Sequence, residues 1–240
     1  EHGTKVIDVN PRLDSGSTPL MLAAQKGHTD ICKLLISKSH DANPKDTNSW
    51  TPLHESAQSG NFAVCEAIVN KLSEVTPEDE SGNKVIDVNP RLDSGSTPLY
   101  FAAESGHIDI CKLLLGKTND CNPSCADGDT PLHIAVKKGH QEIAFLILNK
   151  VDTKNPKDNK SSTPLHLAAE HGWFGLFKII MIESGEVNPK DDASQTPQKF
   201  AKWNHDLPLS ELVEKMKSEE NLNWSRISNN EDSKLENDLQ

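Results

Sequence analysis

Ten histidines and five cysteines are the residues of this chain whose chemistry would suit a metal ion or a catalytic centre. Cys121 and Cys125, followed along the chain by His133 and His140, have the ligand types that zinc prefers. Two cysteines without a matching second pair are a weak signal for zinc. The sequence has no glycine-rich phosphate loop, nucleophile elbow, HExxH or EF-hand pattern. We therefore predict no enzymatic activity, no cofactor and no metal site.

Most of the histidines recur at fixed distances from a Thr-Pro pair, which favours a structural role for them. Four of the five intervals between these pairs are 33 residues and one is 46. The pairs begin at Thr18, Thr51, Thr97, Thr130, Thr163 and Thr196. Three rings follow the Thr by three residues, where we expect them to bond the turn backbone: His54, His133 and His166. Three others follow a recurring Gly: His28, His107 and His140.

The unit between successive Thr-Pro pairs has the pattern of two short helices. Thr caps the first free amides of a helix, and Pro suits the first helical position. A Gly nine residues after each of the first five Thr residues predicts the end of a helix of about eight residues. Apolar residues spaced like Ile31, Leu34 and Leu35 then predict the packed face of a second helix. Because such a unit cannot bury its apolar faces alone, neighbouring units must stack.

The segments TPLHESAQSGN, TPLHIAVKKGH and TPLHLAAEHGW resemble the ankyrin repeat. The resemblance covers residues 5–217 and implies an all-α repeat fold, an α/α solenoid of helix-turn-helix units with β-turn or hairpin connections. It predicts six ankyrin-like repeats at 18–217, preceded at 1–17 by the end of another repeat. The last unit, 188–217, keeps the apolar pattern of its second helix and has polar residues elsewhere, which is typical of a capping repeat. The acidic residues 218–240 are predicted to be a disordered tail.

The sixteen residues KVIDVNPRLDSGSTPL occur twice, at 5–20 and again at 84–99. Their offset is the length of one ordinary unit and one enlarged unit, so we interpret them as a copied block of two repeats, in a chain that starts partway through an array. The enlarged unit has an insertion at 73–86 that carries four acidic residues: Glu74, Glu78, Asp79 and Glu80. Two interpretations of this insertion stay open, a solvated loop and an acidic finger that contacts a basic partner.

Composition restricts the class of partner. The chain has 36 acidic and 25 basic residues, and its net charge of −11 disfavours nucleic acid. Its apolar runs are far shorter than the roughly 20 residues that cross a bilayer, so we predict no direct membrane insertion. An odd number of cysteines without a dense framework favours a reducing, cytoplasmic location.

The resemblance implies that a protein partner binds along the concave face, which the turn tips and the first helices of the repeats form. Three predicted contact residues lie at turn tips: Asn48, Trp50 and Asp129. Seven lie where first helices end: Gln25, Lys26, Gln58, Glu104, Lys137, Lys138 and Glu170. Trp50 has two interpretations, a binding anchor and a side chain packed on the neighbouring turn. The predicted function is that of a monomeric, non-catalytic scaffold for protein–protein interaction within a longer protein.

Two alternative functions remain open. In the first alternative, the array is a structural spacer or elastic support in a membrane-linked or cytoskeletal protein. The copied block favours this hypothesis. A third idea makes the chain a substrate for modification, because asparaginyl hydroxylases oxidise asparagines at the equivalent turn position of ankyrin-like repeats. In this chain the asparagines at that position are Asn10, Asn43, Asn89, Asn122, Asn155 and Asn188. Each is followed by Pro, whereas the modified repeats usually have a small residue there.

Overall fold

Eleven α-helices follow one another in the part of the chain that the computed structural model describes, residues 9–76, 86–186 and 188–200. Their bounds are α1 Pro19–Gln25, α2 Thr29–Lys38, α3 Pro52–Ser59, α4 Phe62–Val75, α5 Pro98–Ser105, α6 Ile108–Leu115, α7 Pro131–Lys138, α8 Gln141–Leu148, α9 Pro164–His171, α10 Phe174–Ser184 and α11 Pro197–Phe200. We number the repeats 1 to 6 by their Thr-Pro pairs, so that α1 and α2 belong to repeat 1 and α11 to repeat 6.

Local chemistry starts and ends the first helix of a repeat as the sequence predicts. In repeat 4, the Thr130 hydroxyl accepts the backbone N–H of His133 at 3.4 Å, and Pro131 occupies the first turn. The helix ends at Gly139, whose φ of +76° lies in the left-handed region. The predicted helix length is confirmed, since α3, α5, α7 and α9 each have 8 residues.

The helices form two layers. The odd-numbered helices α1 to α11 pack side by side in one layer, which we call the inner layer, and α2 to α10 pack side by side in the outer layer. Each first helix also packs against the second helix of its own repeat. This sequential stacking of helix pairs confirms the predicted α/α solenoid.

One continuous apolar core runs between the layers. It contains the Leu that follows each Thr-Pro pair, from Leu20 to Leu165, and all of these side chains are fully buried. Cys32, Cys65 and Cys111 also pack in this core, since each is 0% exposed in an outer helix. Burial of this kind stabilises a fold by about 25 cal/mol per Å² of apolar surface.

Successive turns are tied together by backbone hydrogen bonds. The amide of Thr47 donates to the carbonyl of Ser15 in the preceding turn at 3.1 Å. The amide of Ala126 likewise donates to the carbonyl of Ser94 at 2.7 Å. Equivalent bonds join repeats 4 to 5 and 5 to 6. The turns thereby keep one register along the stack, which places each turn tip beside the next inner helix.

The junction between repeats 2 and 3 departs from this pattern. The backbone bond between turns is missing there among the residues that the structure describes, and the Ser49 hydroxyl donates to the Asp93 carboxylate at 3.1 Å instead. This junction follows the enlarged unit, so the additional length of chain coincides with the missing backbone bond between the two turns.

The predicted second helix of repeat 1 is confirmed as α2, but its apolar face is only partly packed, since Ile31 is 51% exposed and Leu34 is 60% exposed. Their equivalents in repeats 2 to 5 are buried or partly buried. The periodicity identifies the face correctly; no preceding repeat covers that face in the described structure.

Several predicted boundaries fall partly outside the described residues. Helix α4 continues to Val75, so the first residues of the predicted 73–86 insertion extend a helix. Residues 77–85, the rest of the capping repeat from residue 201 and the tail at 218–240 lie outside the description, as do residues 1–8. The predicted division of the chain at those points therefore stays a prediction.

The residue two places before each Thr has a positive φ, and in three repeats it is Ser. Ser161 has a φ of +55°, whereas its counterpart in repeat 4 is Gly128. A side chain in this region is disfavoured by roughly 1–2 kcal/mol, a cost that Gly largely avoids. We expect Ser161→Gly to raise the free energy of unfolding by about 0.5–1 kcal/mol, measured by chemical denaturation.

The reverse change is the matched control for that prediction. A Cβ atom at Gly128 would lie 2.5 Å from the backbone nitrogen of Asn159. Because that nitrogen belongs to the backbone of the neighbouring turn, it cannot move aside as the end of a side chain could. Gly128→Ser is therefore expected to lower stability by at least about 1 kcal/mol. A change of stability with the same sign in both variants would contradict the argument from backbone conformation.

Candidate protein-binding surface

The ten residues predicted to contact a partner all lie on the inner layer or on the turns that precede its helices. Six are exposed: Gln25, Lys26, Asn48, Gln58, Lys137 and Lys138. Four are partly buried: Trp50, Glu104, Asp129 and Glu170. The inner-layer surface therefore has polar, accessible side chains at the ends of its helices, with partly buried groups between them.

Two of these residues meet across a repeat boundary. The ammonium group of Lys138 lies 3.4 Å from the Glu104 carboxylate, so that α7 and α5 are linked by an ion pair. The imidazole Nε2 of His140 also donates to the Glu104 backbone carbonyl at 3.2 Å. An exposed ion pair contributes at most about 1 kcal/mol to stability. Its consequence here is orientation, because it holds the Glu104 carboxylate toward the end of α7.

Trp50 lies against the next repeat. The centroid of its ring is 4.9 Å from that of Phe101 in α5 and 5.2 Å from that of His54 in α3. The packing interpretation of Trp50 therefore applies, with an inner helix rather than a turn as the neighbour. The indole ring remains partly exposed, so packing does not remove it from the surface.

We call Trp50, His54, Tyr100 and Phe101 the aromatic cluster. The Tyr100 and Phe101 rings are 5.9 Å apart with an edge-to-face orientation, and His54 contacts Phe101 in the same way. Such pairs contribute about 0.5–1.5 kcal/mol beyond the area they bury. The cluster thus fixes several rings across the junction where the bond between the turns is missing.

Phe101 is a surface residue that the sequence reasoning missed. It stands four residues after Thr97, and its counterparts are Leu22, Glu55, Ile134, Leu167 and Phe200. Five of these six positions are apolar, a periodic signal that the sequence reasoning did not use. The structure shows that the position faces the preceding repeat, because Phe101 contacts His54 and Phe200 contacts His166 in the same edge-to-face way.

Several carboxylates lie beside the aromatic cluster, with Lys45 near His54 as the opposite charge. The Trp50 indole N–H lies beside the Glu55 carboxylate but outside hydrogen-bond geometry. Burial raises the pKa of the Glu55 carboxyl, and the nearby Asp46 carboxylate raises it further. Burial also raises the pKa of the Tyr100 hydroxyl, with Asp129 contributing in the same direction. The cluster is therefore an apolar patch with a negative border.

The turn that carries Trp50 is held in one conformation by a side chain. One Asp46 carboxylate oxygen accepts the backbone N–H groups of Asn48 and Trp50, both at 2.8 Å. This arrangement is an Asx-type turn, which satisfies backbone donors without a partner strand. Trp50 is consequently pre-positioned on the surface by its own turn, which lowers the entropy that binding would cost.

The histidines after Thr-Pro have structural hydrogen bonds. In repeat 4, His133 Nδ1 accepts the Thr130 backbone N–H at 3.2 Å, while Nε2 donates to the Ser162 carbonyl of the next turn at 3.3 Å. Only a neutral ring with its proton on Nε2 satisfies both bonds. His166 repeats this arrangement with the Gln195 carbonyl at 3.1 Å. The predicted structural role is confirmed for both rings.

Metal-binding and thiol chemistry find no support among the described residues. That part of the chain has no group of three or more His, Cys, Asp or Glu side chains arranged to hold a metal ion. Burial raises the pKa of the Cys65 and Cys111 thiols to about 12. Both side chains are therefore protonated at neutral pH, and a thiol is a poor nucleophile and a poor ligand compared with a thiolate.

An open groove of about 520 Å³ lies between the linkers that join repeats 3, 4 and 5, and its lining includes none of the ten predicted contact residues. Arg91 lines it, but its guanidinium already donates to the Ser124 carbonyl at 2.7 Å and lies 3.4 Å from the Asp120 carboxylate. Lys150 and Asp152 also line the groove. Because the charges are mixed and partly paired, the groove does not favour one class of ligand.

Comparison with known protein families agrees with the repeated helix pairs. The family profile described as "Ankyrin repeats (3 copies)" matches residues 3–79, 81–158 and 119–191. No curated protein matches the chain. Among the described helices, none has both the length and the apolar composition needed to cross a bilayer. Repeats of this family are typically non-catalytic and generally mediate protein interactions. The chain belongs to the ankyrin repeat family.

Proposed function

We propose that this ankyrin repeat domain is a non-catalytic scaffold that binds another protein through the concave face formed by the inner layer and the turn tips. The observation that carries the proposal is the aromatic cluster, in which Trp50, Tyr100 and Phe101 are partly exposed across one repeat junction. Trp and Tyr dominate the energetics of protein interfaces, since they bury a large area at a small entropic cost.

The border of the cluster supports a partner of particular chemistry. Glu55 adjoins Trp50, and Glu104 lies at the end of α5 in the same repeat as Phe101. A partner segment with an apolar side chain for the rings and Lys or Arg for the carboxylates would match both features. The net charge of −11 would increase the association rate of such a basic segment.

The remaining predicted residues form the edge of the proposed surface. Exposed polar groups at Gln25, Lys26 and Gln58 lie on the side toward repeat 1, and Lys137, Lys138 and Glu170 lie toward repeat 5. Charged residues at the edge of an interface affect association rate and selectivity more than affinity. We therefore assign affinity to the aromatic cluster and selectivity to these residues.

The free cysteine thiols support a cytoplasmic location for this scaffold. All five cysteines are free, and Cys32, Cys65 and Cys111 are buried apart from one another in successive outer helices. Free cysteines persist in reducing compartments. We propose that the domain acts in the cytoplasm, as a monomer.

A peptide-display selection against the chain tests the function, with binding of the enriched peptides measured by calorimetry. We expect peptides that have an apolar residue next to Lys or Arg. Phe101→Ala should weaken their binding at least tenfold, because truncating a central aromatic residue typically costs more than about 1.4 kcal/mol. Thermal unfolding of the variant separates lost binding from lost folding.

Matched controls come from the outer layer. Phe62 is 38% exposed at the start of α4, so Phe62→Ala removes the same chemical group from another surface and should leave binding unchanged. Glu55→Lys should weaken binding, whereas Glu66→Lys on α4 should not. If no peptide is enriched, or if Phe62→Ala and Phe101→Ala weaken binding equally, the proposal fails and the structural-spacer alternative becomes the better explanation.

A further inference from the structure

The partly exposed rings of the aromatic cluster lie next to negative charge. Glu55 adjoins Trp50, and the carboxylate of Asp129 lies close enough to Tyr100 to raise the pKa of its hydroxyl. A segment that fits this surface therefore has an apolar side chain for the rings and a cation close to it in sequence for the carboxylates.

The charge changes sign one inner helix further along the stack. Helix α7 packs on α5 and ends with Lys137 and Lys138, both of which are exposed. Lys138 lies 3.4 Å from the Glu104 carboxylate, whereas Lys137 has no ion pair within the described part of the chain. Neighbouring packed helices lie roughly 10 Å apart. A segment that lies along the inner layer thus needs an anion about that distance from its cation, on the side toward repeat 5.

The acidic tail of the same chain has side chains in this order. Residues 219–227 read EENLNWSRI. Arg226 follows Trp224 by two residues, and the pair Glu219 and Glu220 precedes it by five and four residues. Four residues of extended chain span about 13–14 Å. The spacing between the Glu pair and Trp224 therefore matches the spacing between the lysines of α7 and the rings on α5.

The tail is long enough to reach the cluster from the end of the stack. Helices α5, α7, α9 and α11 pack in succession, which places α5 about 24–30 Å from α11. Residues 201–223 connect Phe200 in α11 to Trp224, and a chain of this length spans up to about 80 Å when extended. Because this connection starts at repeat 6, the Glu pair that precedes Trp224 would lie on the side of the cluster where Lys137 lies.

We propose that residues 219–227 bind to the aromatic cluster of their own chain and thereby compete with the protein partner. Trp224 packs on the exposed rings, Arg226 pairs with the Glu55 carboxylate, and the preceding Glu pair faces Lys137. The proposal rests on the proposed function, because it assigns an internal occupant to the same surface. The domain is then autoinhibited, since a partner has to displace the tail before it can bind.

Attachment to the array makes even a moderate contact effective. A flexible linker can give a tethered segment an effective concentration of about 1 mM. A segment whose dissociation constant as a free peptide is about 10 μM would then occupy the cluster about 99% of the time. The apparent affinity of an external partner falls by the same factor, roughly 100-fold, because only the unoccupied fraction can bind it.

Calorimetry with a synthetic peptide of residues 216–230 tests the proposal on the full chain. The double variant Trp224→Ala, Arg226→Glu, which we call the tail variant, disables the internal segment without changing any described helix. We expect the peptide to bind the tail variant at least tenfold more tightly than the wild type, whose surface is already occupied. Equal affinity for the two proteins, or binding to neither, would overturn the proposal.

Substitutions on the array provide matched controls in the tail variant. Phe101→Ala should weaken peptide binding at least tenfold, whereas Phe62→Ala on the outer layer should leave it unchanged. Lys137→Glu should also weaken binding, and a peptide with Glu219→Lys and Glu220→Lys should recover it. Peptide binding that responds to neither Phe101→Ala nor Lys137→Glu would place the segment on another surface and overturn the proposal.

The peptide-display selection, repeated on the tail variant, separates this proposal from the proposed function. External peptides that require Phe101, together with no binding of the tail peptide, would support the scaffold function and overturn autoinhibition. Binding of the tail peptide without enrichment of any external peptide would support the internal contact and overturn the scaffold function.

Sedimentation distinguishes the tail of the same chain from the tail of a second copy. The proposal predicts that the sedimentation coefficient of the wild type does not depend on concentration. A dimer that Trp224→Ala dissociates would show that the tail binds the cluster of a second copy, and would overturn the assignment within one chain.

Discussion

Ile143→Ala is expected to lower the free energy of unfolding by about 3 kcal/mol, within the range of roughly 2–5 kcal/mol for a buried Ile or Leu cut to Ala. Ile143 is 0% exposed in α8, between the inner layer and the neighbouring outer helices. Its truncation removes buried methyl groups and leaves a cavity that the surrounding helices cannot fill without shifting. Urea denaturation monitored by circular dichroism measures the change.

The same substitution in repeat 1 is the control. Ile31 occupies the position of Ile143 in its repeat, yet it is 51% exposed. Ile31→Ala should change stability by about 0.5 kcal/mol or less, because exposed sites lose little contact and Ala is the better helix former. If the two variants lose equal stability, the difference in burial between Ile31 and Ile143 does not determine their contributions to stability. The description of Ile31 as exposed on the outer face of repeat 1 would then be wrong as well.

Acidification from pH 7 to pH 4 is expected to remove about 3 kcal/mol of stability through His54 alone. Burial lowers the pKa of His54 from 6.5 to about 4. Its contribution to stability is complete above pH 6.5, where the ring is neutral in both states. It is lost as the pH falls toward 4, since the unfolded chain then binds a proton that the folded protein excludes. Burial lowers the pKa of His133 too, which acts in the same direction.

Unfolding curves of the wild type and His54→Gln at several pH values isolate this effect. The variant should be less stable at pH 7, because it loses the contact between the Thr51 hydroxyl and His54 Nδ1 at 2.9 Å. The difference between the two proteins should shrink by about 3 kcal/mol between pH 7 and pH 4, while the titration of carboxylates affects both alike. Parallel curves would show that His54 does not titrate in this range.

The His54 ring lacks one hydrogen bond at the junction between repeats 2 and 3, which lowers the stability of that junction. Its Nε2 faces the backbone of Ser96 and Pro90 without reaching hydrogen-bond geometry, whereas His133 Nε2 reaches the Ser162 carbonyl. A buried polar atom without a partner costs about 1–3 kcal/mol. The junction between repeats 2 and 3 thus combines a missing bond between turns, an unsatisfied ring nitrogen and the aromatic cluster. The proposed binding surface therefore lies at the junction that has these unsatisfied backbone and side-chain groups.

Features that depend on residues close together in the sequence could be predicted, whereas contacts between different repeats could not. The helix starts at Thr-Pro, the helix ends at Gly and the apolar spacing of the second helix are local features, and they were predicted correctly. The contact between Trp50 and Phe101 joins residues from different repeats. An apolar residue recurs at the position of Phe101, but this pattern does not say which neighbour the ring contacts. The turn-tip and helix-end residues were placed on the inner layer by the family resemblance, and their contact with a partner remains a prediction.

The sequence by itself determined the repeat length, the bounds of the first helices and the face of each second helix, because capping, left-handed glycine and helical periodicity act over a few residues. Only the tertiary structure decided which of the equivalent positions are covered. Ile31 and Ile143 have the same residue type and the same place in the repeat, but one is open and the other is buried. The physical reason is that a repeat is covered by its neighbours, so burial depends on what is stacked against it rather than on its own residues.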